Sequence, residues 1–155
     1  LDRYATINWA AVYVAGAFAI QAALLLWTGG ARNKLDVTPP RRAADYAGPA
    51  LFLFALLVQP AIGPLLGRSW LQVEMFGLAP DPTAVATLGT LLMGRRPHWH
   101  LLLVPLLWCA CTGLTLTAME APDALVSPVA AALALVVAAW KTVRVPRARH
   151  ETYRR

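Results

Sequence analysis

Five apolar stretches, separated by short polar breaks, set the layout of this chain. They predict helices over roughly 8–28, 46–66, 82–94, 101–119 and 124–140. About 20 residues at 1.5 Å each span a hydrocarbon core of about 30 Å. The pattern therefore predicts an all-α, polytopic transmembrane domain over 1–140, followed by a basic tail over 141–155. The third stretch is the exception, because thirteen residues make only about 20 Å of helix. Either the loop before it completes the crossing or the bilayer thins around it.

Details within the stretches refine this layout. Trp9, Trp27, Trp99 and Trp140 sit near predicted helix ends, where amphipathic rings anchor at the headgroups. Small residues recur at helical spacing at Ala11, Ala15 and Ala19, at Gly63 and Gly67, and at Ala130, Ala134 and Ala138. Such stripes allow close helix approach. Simple alanine richness accounts for the first of them equally well. Gln59-Pro60 and Gly63-Pro64 interrupt the second stretch, and Pro105 the fourth. Each proline removes a backbone donor and crowds the preceding turn. A kinked packing helix is the preferred reading of the second stretch; a hinge or substrate site near Gln59 is the sharper alternative.

Charge adds an orientation. Twelve of the fourteen Lys and Arg residues follow the first, third and fifth stretches, leaving only Arg3 and Arg68 on the other side. Basic residues beside membrane segments resist translocation, so the amino terminus is expected outside and the carboxyl terminus inside. For Arg95 and Arg96 to lie inside, the short third helix must count as a crossing. Five of the eight acids (Asp2, Glu74, Asp81, Glu120 and Asp123) then fall on or near the outer face.

Composition agrees with a membrane. The chain is 58% hydrophobic and 14% charged, with mean hydropathy +0.52, whereas soluble domains carry about 25% charged residues. A net charge of +6 would suit nucleic acid, but its placement beside apolar segments points to anionic headgroups instead. No nucleic-acid partner is expected. The chain begins with Leu1, so either a leader has been removed or an upstream part precedes it. Cys109 and Cys111 lie two apart on one helix and cannot bridge each other.

Few residues offer chemistry. Asp81, ahead of Pro82, reads as a helix N-cap with proline at the first helical position. An acid near membrane depth is also a possible ion site, but capping supplies a full structural reason. His98 and His100 flank Trp99 and are the candidate cofactor ligands. Two histidines make an incomplete metal site, and an interfacial anchor is the preferred reading. Bacteriochlorophyll or haem contact through them has no other support in the sequence, and neither a cofactor nor a metal is expected. Glu120 and Asp123 read as solvated turn residues. Asp36 and Asp45 read as moderators of a basic loop.

The stretch Phe76-Gly77-Leu78-Ala79-Pro80-Asp81-Pro82-Thr83, then Leu88-Gly89-Thr90-Leu91-Leu92, then Pro105-Leu106-Leu107-Trp108, resembles an uncharacterised family of bacterial integral membrane proteins classed as a domain of unknown function. Its pattern is FG-x-AP-C-PT, a G-x-LL helix and a P-L-L-W segment. Ile7-Asn8 and Gln59-Pro60 align as well, so the resemblance covers most of the chain. The central motif is moderately specific; the rest is generic membrane composition. This chain departs at Asp81, where the family pattern usually has Cys, so a role built on a family thiol does not carry over. Members of the family also have further apolar helices upstream. The resemblance implies no activity, cofactor or catalytic residue.

There is no nucleotide loop, no nucleophile with its base, no intramembrane charge pair and no internal repeat. The expected function is thus a non-catalytic accessory subunit of a larger membrane complex, packed laterally through small-residue faces. The expected site is the bacterial inner membrane, cytoplasmic or intracytoplasmic, with lipids and other membrane subunits as partners. A photosynthetic or respiratory assembly is the expected host. A small transporter or channel lined by Gln59 and Asp81 is the alternative. A pigment- or haem-binding protein comes third, and an enzyme last.

Overall fold

The computed structural model describes residues 2–31, 43–67, 77 and 79–144. The loops over 32–42 and 68–76, the tail over 145–155 and the side chain of Trp9 lie outside the described residues. Every described element is helical: α1 (Asp2–Leu25), α2 (Ala47–Leu53), α3 (Gln59–Leu65), α4 (Pro80–Leu92), α5 (Trp99–Ala118) and α6 (Val126–Arg144). Four helical stretches are long and apolar enough to cross a membrane: Val12–Gly29, Ala44–Leu65, Trp99–Ala118 and Val126–Arg144.

The helix bounds differ from the apolar bounds for a physical reason. Hydropathy reports the stretch that avoids water, and a helix continues wherever its backbone bonds persist. Thus α1 starts at Asp2 rather than near 8 and widens into a π-helical turn over Leu26–Ala31. Helix α6 runs on through Lys141 to Arg144, so the first residues assigned to the tail belong to the helix.

Prolines shape two of the rods. Helices α2 and α3 are one rod joined by a π-helical turn over Phe54–Val58, directly before Gln59-Pro60. Pro60 brings no N–H and its ring crowds the carbonyl four residues back; the wider turn makes room. In α5, Pro105 frees the carbonyl of Leu101 in the same way. That carbonyl is not left bare. Gln21 Nε2 of α1 donates to it at 2.8 Å, and Gln21 is only 4% exposed.

The short helix α4 lies at the centre. Ala84, Val85, Ala86, Leu88, Leu91 and Leu92 are all buried, and with Leu101, Leu102, Cys109, Ala130, Ala134 and Ala138 they form the core. Glycine sets the closest approach. A Cβ on Gly89 would stand 2.6 Å from the Phe52 nitrogen, and one on Gly48 would stand 2.9 Å from the Gly89 oxygen. Helices α2 and α4 therefore touch backbone to backbone, as small residues permit.

Contacts between helix ends fix the directions. Gln21 late in α1 meets Leu101 early in α5. Lys141 late in α6 meets Leu92 at the end of α4. Gly48 at the start of α2 meets Gly89 and Met93 late in α4. Successive rods therefore run antiparallel. Arg95, Arg96, Lys141 and Arg144 gather at one end of the bundle, and Asp81, Glu120 and Asp123 at the other.

Candidate functional site

The first turn of α4 carries the acid singled out in the sequence, but not as a cap. Helix α4 begins at Pro80 with Ala79 in the N-cap position, and no side chain caps it. The expected N-cap role of Asp81 is thus corrected. One residue further into the helix, its carboxylate points across to two neighbouring helices. Trp108 Nε1 donates to Asp81 Oδ1 at 2.6 Å and Thr112 Oγ1 to the same oxygen at 3.0 Å. Ser127 Oγ of α6 lies 3.5 Å from Oδ2. Phe18 of α1 packs edge-on against the Trp108 indole, with centroids 5.4 Å apart at 74°. The carboxylate therefore joins α4, α5 and α6 directly, and α1 through the indole. A negative charge at a helix N-terminus also meets the positive end of the backbone dipole.

Beside this carboxylate lies a cleft of about 430 Å³. Asp81, Trp108, Thr112, Thr115 and Asp123 give it a polar lining, Pro80 and Leu116 an apolar wall, and the exposed Cys111 thiol stands at its edge. Thr115 and Thr117 bond to carbonyls of their own helix, Cys111 and Gly113 respectively. Only Thr112 of the three α5 threonines reaches across to Asp81. A second hollow of similar size, between the α2–α3 rod and α6, is lined by apolar residues such as Leu51, Ile62 and Leu133.

A second polar cluster, absent from the expectations above, lies at the opposite end of α4. Lys141 is 5% exposed. Its Nζ donates to the carbonyls of Leu92 at 2.7 Å and Gly94 at 3.3 Å. It also pairs with Asp45 Oδ1 at 3.1 Å. The ammonium thus satisfies carbonyls that the end of α4 leaves without helical partners. Asp45, expected to moderate a basic loop, lies in a short helical turn over Ala43–Tyr46 and is tied to α6. The signal was present as spacing: Ser127, Ala130, Ala134, Ala138 and Lys141 fall on the buried face of one helix.

The other singled-out residues are placed as follows. Ala130, Ala134 and Ala138 are buried. Among the described residues Gly67 makes no packing contact. It lies past the end of α3 at φ +93, and an added Cβ would meet nothing within 4 Å. Close contact instead uses Gly48, Gly89 and Gly113, the last against the Pro128 ring. Gln59 has a buried Oε1 without a hydrogen-bond partner among the described residues, and it does not line the Asp81 cleft. Trp99 Nε1 donates to Thr142 Oγ1 at 3.2 Å, and the Arg144 guanidinium stands 5.0 Å from the Trp140 ring centre. Trp27 is exposed.

His98 and His100 stand edge to face, with ring centres 5.9 Å apart. Among the described residues no group of three or more His, Cys, Asp or Glu could hold a metal ion. Cys109 and Cys111 are both free thiols, one buried and one exposed.

Fold and site together define a class: an all-helical protein with four helical stretches long and apolar enough to cross a membrane, and a carboxylate held between three helices. Within that class the chain belongs to the family of unknown function DUF6064, whose model matches residues 4–149. No curated protein and no solved structure matches it.

Proposed function

We propose that this chain is a multi-pass protein of a bacterial inner membrane, amino terminus outside and carboxyl terminus inside, acting as a non-catalytic packing subunit of a larger membrane complex. One observation carries the packing role. Phe18, Gln21 and Leu25 of α1 turn toward the rest of the bundle. The opposite face presents Gly16, Ala19 and Ala23 between the exposed Val12 and Ile20, a small-residue groove edged by large apolar side chains. An added Cβ at Gly16 meets nothing within 4 Å. Lipid contact makes no demand for small side chains, whereas close helix contact does. The same device already joins α2 to α4 through Gly48 and Gly89. The orientation is supported by the clustering of Arg95, Arg96, Lys141 and Arg144 at one end of the bundle.

The test is purification from native membranes in mild detergent with a tag on this chain. Partner subunits, or further copies of the chain, should co-purify with the wild type and be lost from the Gly16→Leu, Ala19→Leu double variant. Migration of the wild type as a lone small particle would refute the proposal. A carboxyl-terminal fluorescent or phosphatase fusion reads the orientation separately.

A further inference from the structure

We propose that the cleft at Asp81 is a binding site for a small organic ammonium ion. The Asp81 carboxylate supplies the charge at the helix contact, and the Asp123 carboxylate in the same lining adds to it. Asp81 Oδ1 accepts from Trp108 and Thr112, but among the described residues Oδ2 is engaged only by the long Ser127 contact at 3.5 Å. A carboxylate has about four lone-pair positions, so Oδ2 keeps capacity to accept a hydrogen bond from N⁺–H. The hydroxyl protons nearby are already spent: Thr112 donates to Asp81 and Thr115 to the Cys111 carbonyl. Their lone pairs are what the cleft offers to an incoming donor. Leu116, Pro80 and the body of the indole supply apolar wall, which suits a carbon skeleton and not a bare ion. The volume of about 430 Å³ falls within the range of small-molecule sites. A lone inorganic cation would need a tight shell of oxygens that this open cleft does not present. The described basic side chains Arg95, Arg96, Lys141 and Arg144 gather at the other end of the bundle.

This site is independent of the α1 face argued above, so either proposal can fail without the other. Cys111 provides the readout, since it is exposed at the cleft while Cys109 is buried. The full chain in lipid nanodiscs is modified with N-ethylmaleimide, in the presence of benzylammonium chloride or the uncharged benzyl alcohol; Cys111→Ser confirms the labelled thiol. Benzylammonium should slow the modification saturably, and benzyl alcohol at equal concentration should not. Asp81→Asn, which keeps the shape and removes the charge, should weaken protection by about tenfold or more, with helical circular dichroism unchanged. If Asp81→Asn does not fold, Leu116→Trp fills the cleft from its apolar side and should abolish protection. An unreactive Cys111, equal protection by benzyl alcohol, or full protection persisting in the Asp81→Asn or Leu116→Trp variant would overturn the proposal.

Discussion

Replacing Gln21 by Leu should loosen α1 from the bundle, and the size of the loss should depend on Pro105. Pro105 takes no part in the bond itself. It matters because a residue with an N–H at position 105 would occupy the Leu101 carbonyl within α5. With proline there, Gln21 Nε2 at 2.8 Å is the donor that fills the vacancy. Gln21→Leu in the native background therefore strands a buried carbonyl; in a Pro105→Ala background it does not. An unsatisfied buried acceptor costs about 1–3 kcal/mol. Side-chain hydrogen bonds between membrane helices average about 0.6 kcal/mol and reach about 1.7. Gln21 also carries a buried Oε1 without a hydrogen-bond partner among the described residues, and its removal by Leu offsets part of the loss. That offset is common to both backgrounds and cancels in a double-mutant cycle. The coupling between Gln21→Leu and Pro105→Ala should thus be about 1 kcal/mol, with the second substitution rescuing the first. Reversible unfolding by SDS in dodecylmaltoside micelles, followed by far-ultraviolet circular dichroism, measures all four proteins. Strict additivity would refute the idea that Gln21 serves the carbonyl freed by proline.

Lys141→Met should destabilise the bundle by about 2–3 kcal/mol in the same titration, somewhat below the loss for a fully enclosed pair because the Asp45 side chain stays 29% exposed. Adding Asp45→Asn to Lys141→Met should recover part of that loss, and no recovery would mean that the ion pair is incidental. Gly89→Ala should cost more than the usual overpacking loss of about 1–3 kcal/mol, because its Cβ would stand 2.6 Å from backbone nitrogen. Gly16→Ala should be neutral or stabilising by up to about 1 kcal/mol in the isolated chain; equal losses at the two glycines would disprove the packing assigned to them.

The helical class was legible because its cause is local: apolar runs of the right length, broken by Gly and Pro. The buried alanine stripe of α6 was legible for the same reason. What escaped depends on pairs far apart in the chain. Lys141 differs from Arg144 in sequence only by falling on the stripe of Ala130, Ala134 and Ala138, and its partners are invisible there: it is buried against Leu92 and Gly94, whereas Arg144 stands over Trp140. Gly63 and Gly67 carry the small-x-x-x-small spacing, while Gly48 and Gly89 make the close contact without it. Such a contact needs one glycine on each of two helices, and a pattern within one helix cannot report it. Asp81 was singled out as an acid near membrane depth and misread as to partner. The Asp-Pro pair suggested a cap, but the helix starts two residues earlier, at Pro80. That shift turns the carboxylate from its own backbone toward Trp108.

The length of α4 was the anomaly in the sequence, and its burial resolves it. A helix facing lipid must match the hydrocarbon thickness, because each unsatisfied terminal group there is costly. Helix α4 faces other helices, with Leu88, Leu92 and Val85 fully enclosed, so no such match is required. Its ends are served by side chains from its neighbours. At the carboxyl end the Lys141 ammonium takes up carbonyls and opposes the negative end of the helix dipole. At the amino end the Asp81 carboxylate faces the positive end and is held by donors from α5 and α6. Thirteen residues separate these clusters by about 20 Å, less than a hydrocarbon core of about 30 Å. If the proposed insertion holds, at least one of the two charges lies at hydrocarbon depth, where an unpartnered charge would be strongly disfavoured. Each has the shielding such a position demands. For Lys141 the shielding is complete, a structural role; for Asp81 it stops at the cleft, which leaves the carboxylate open to a ligand from the outer side.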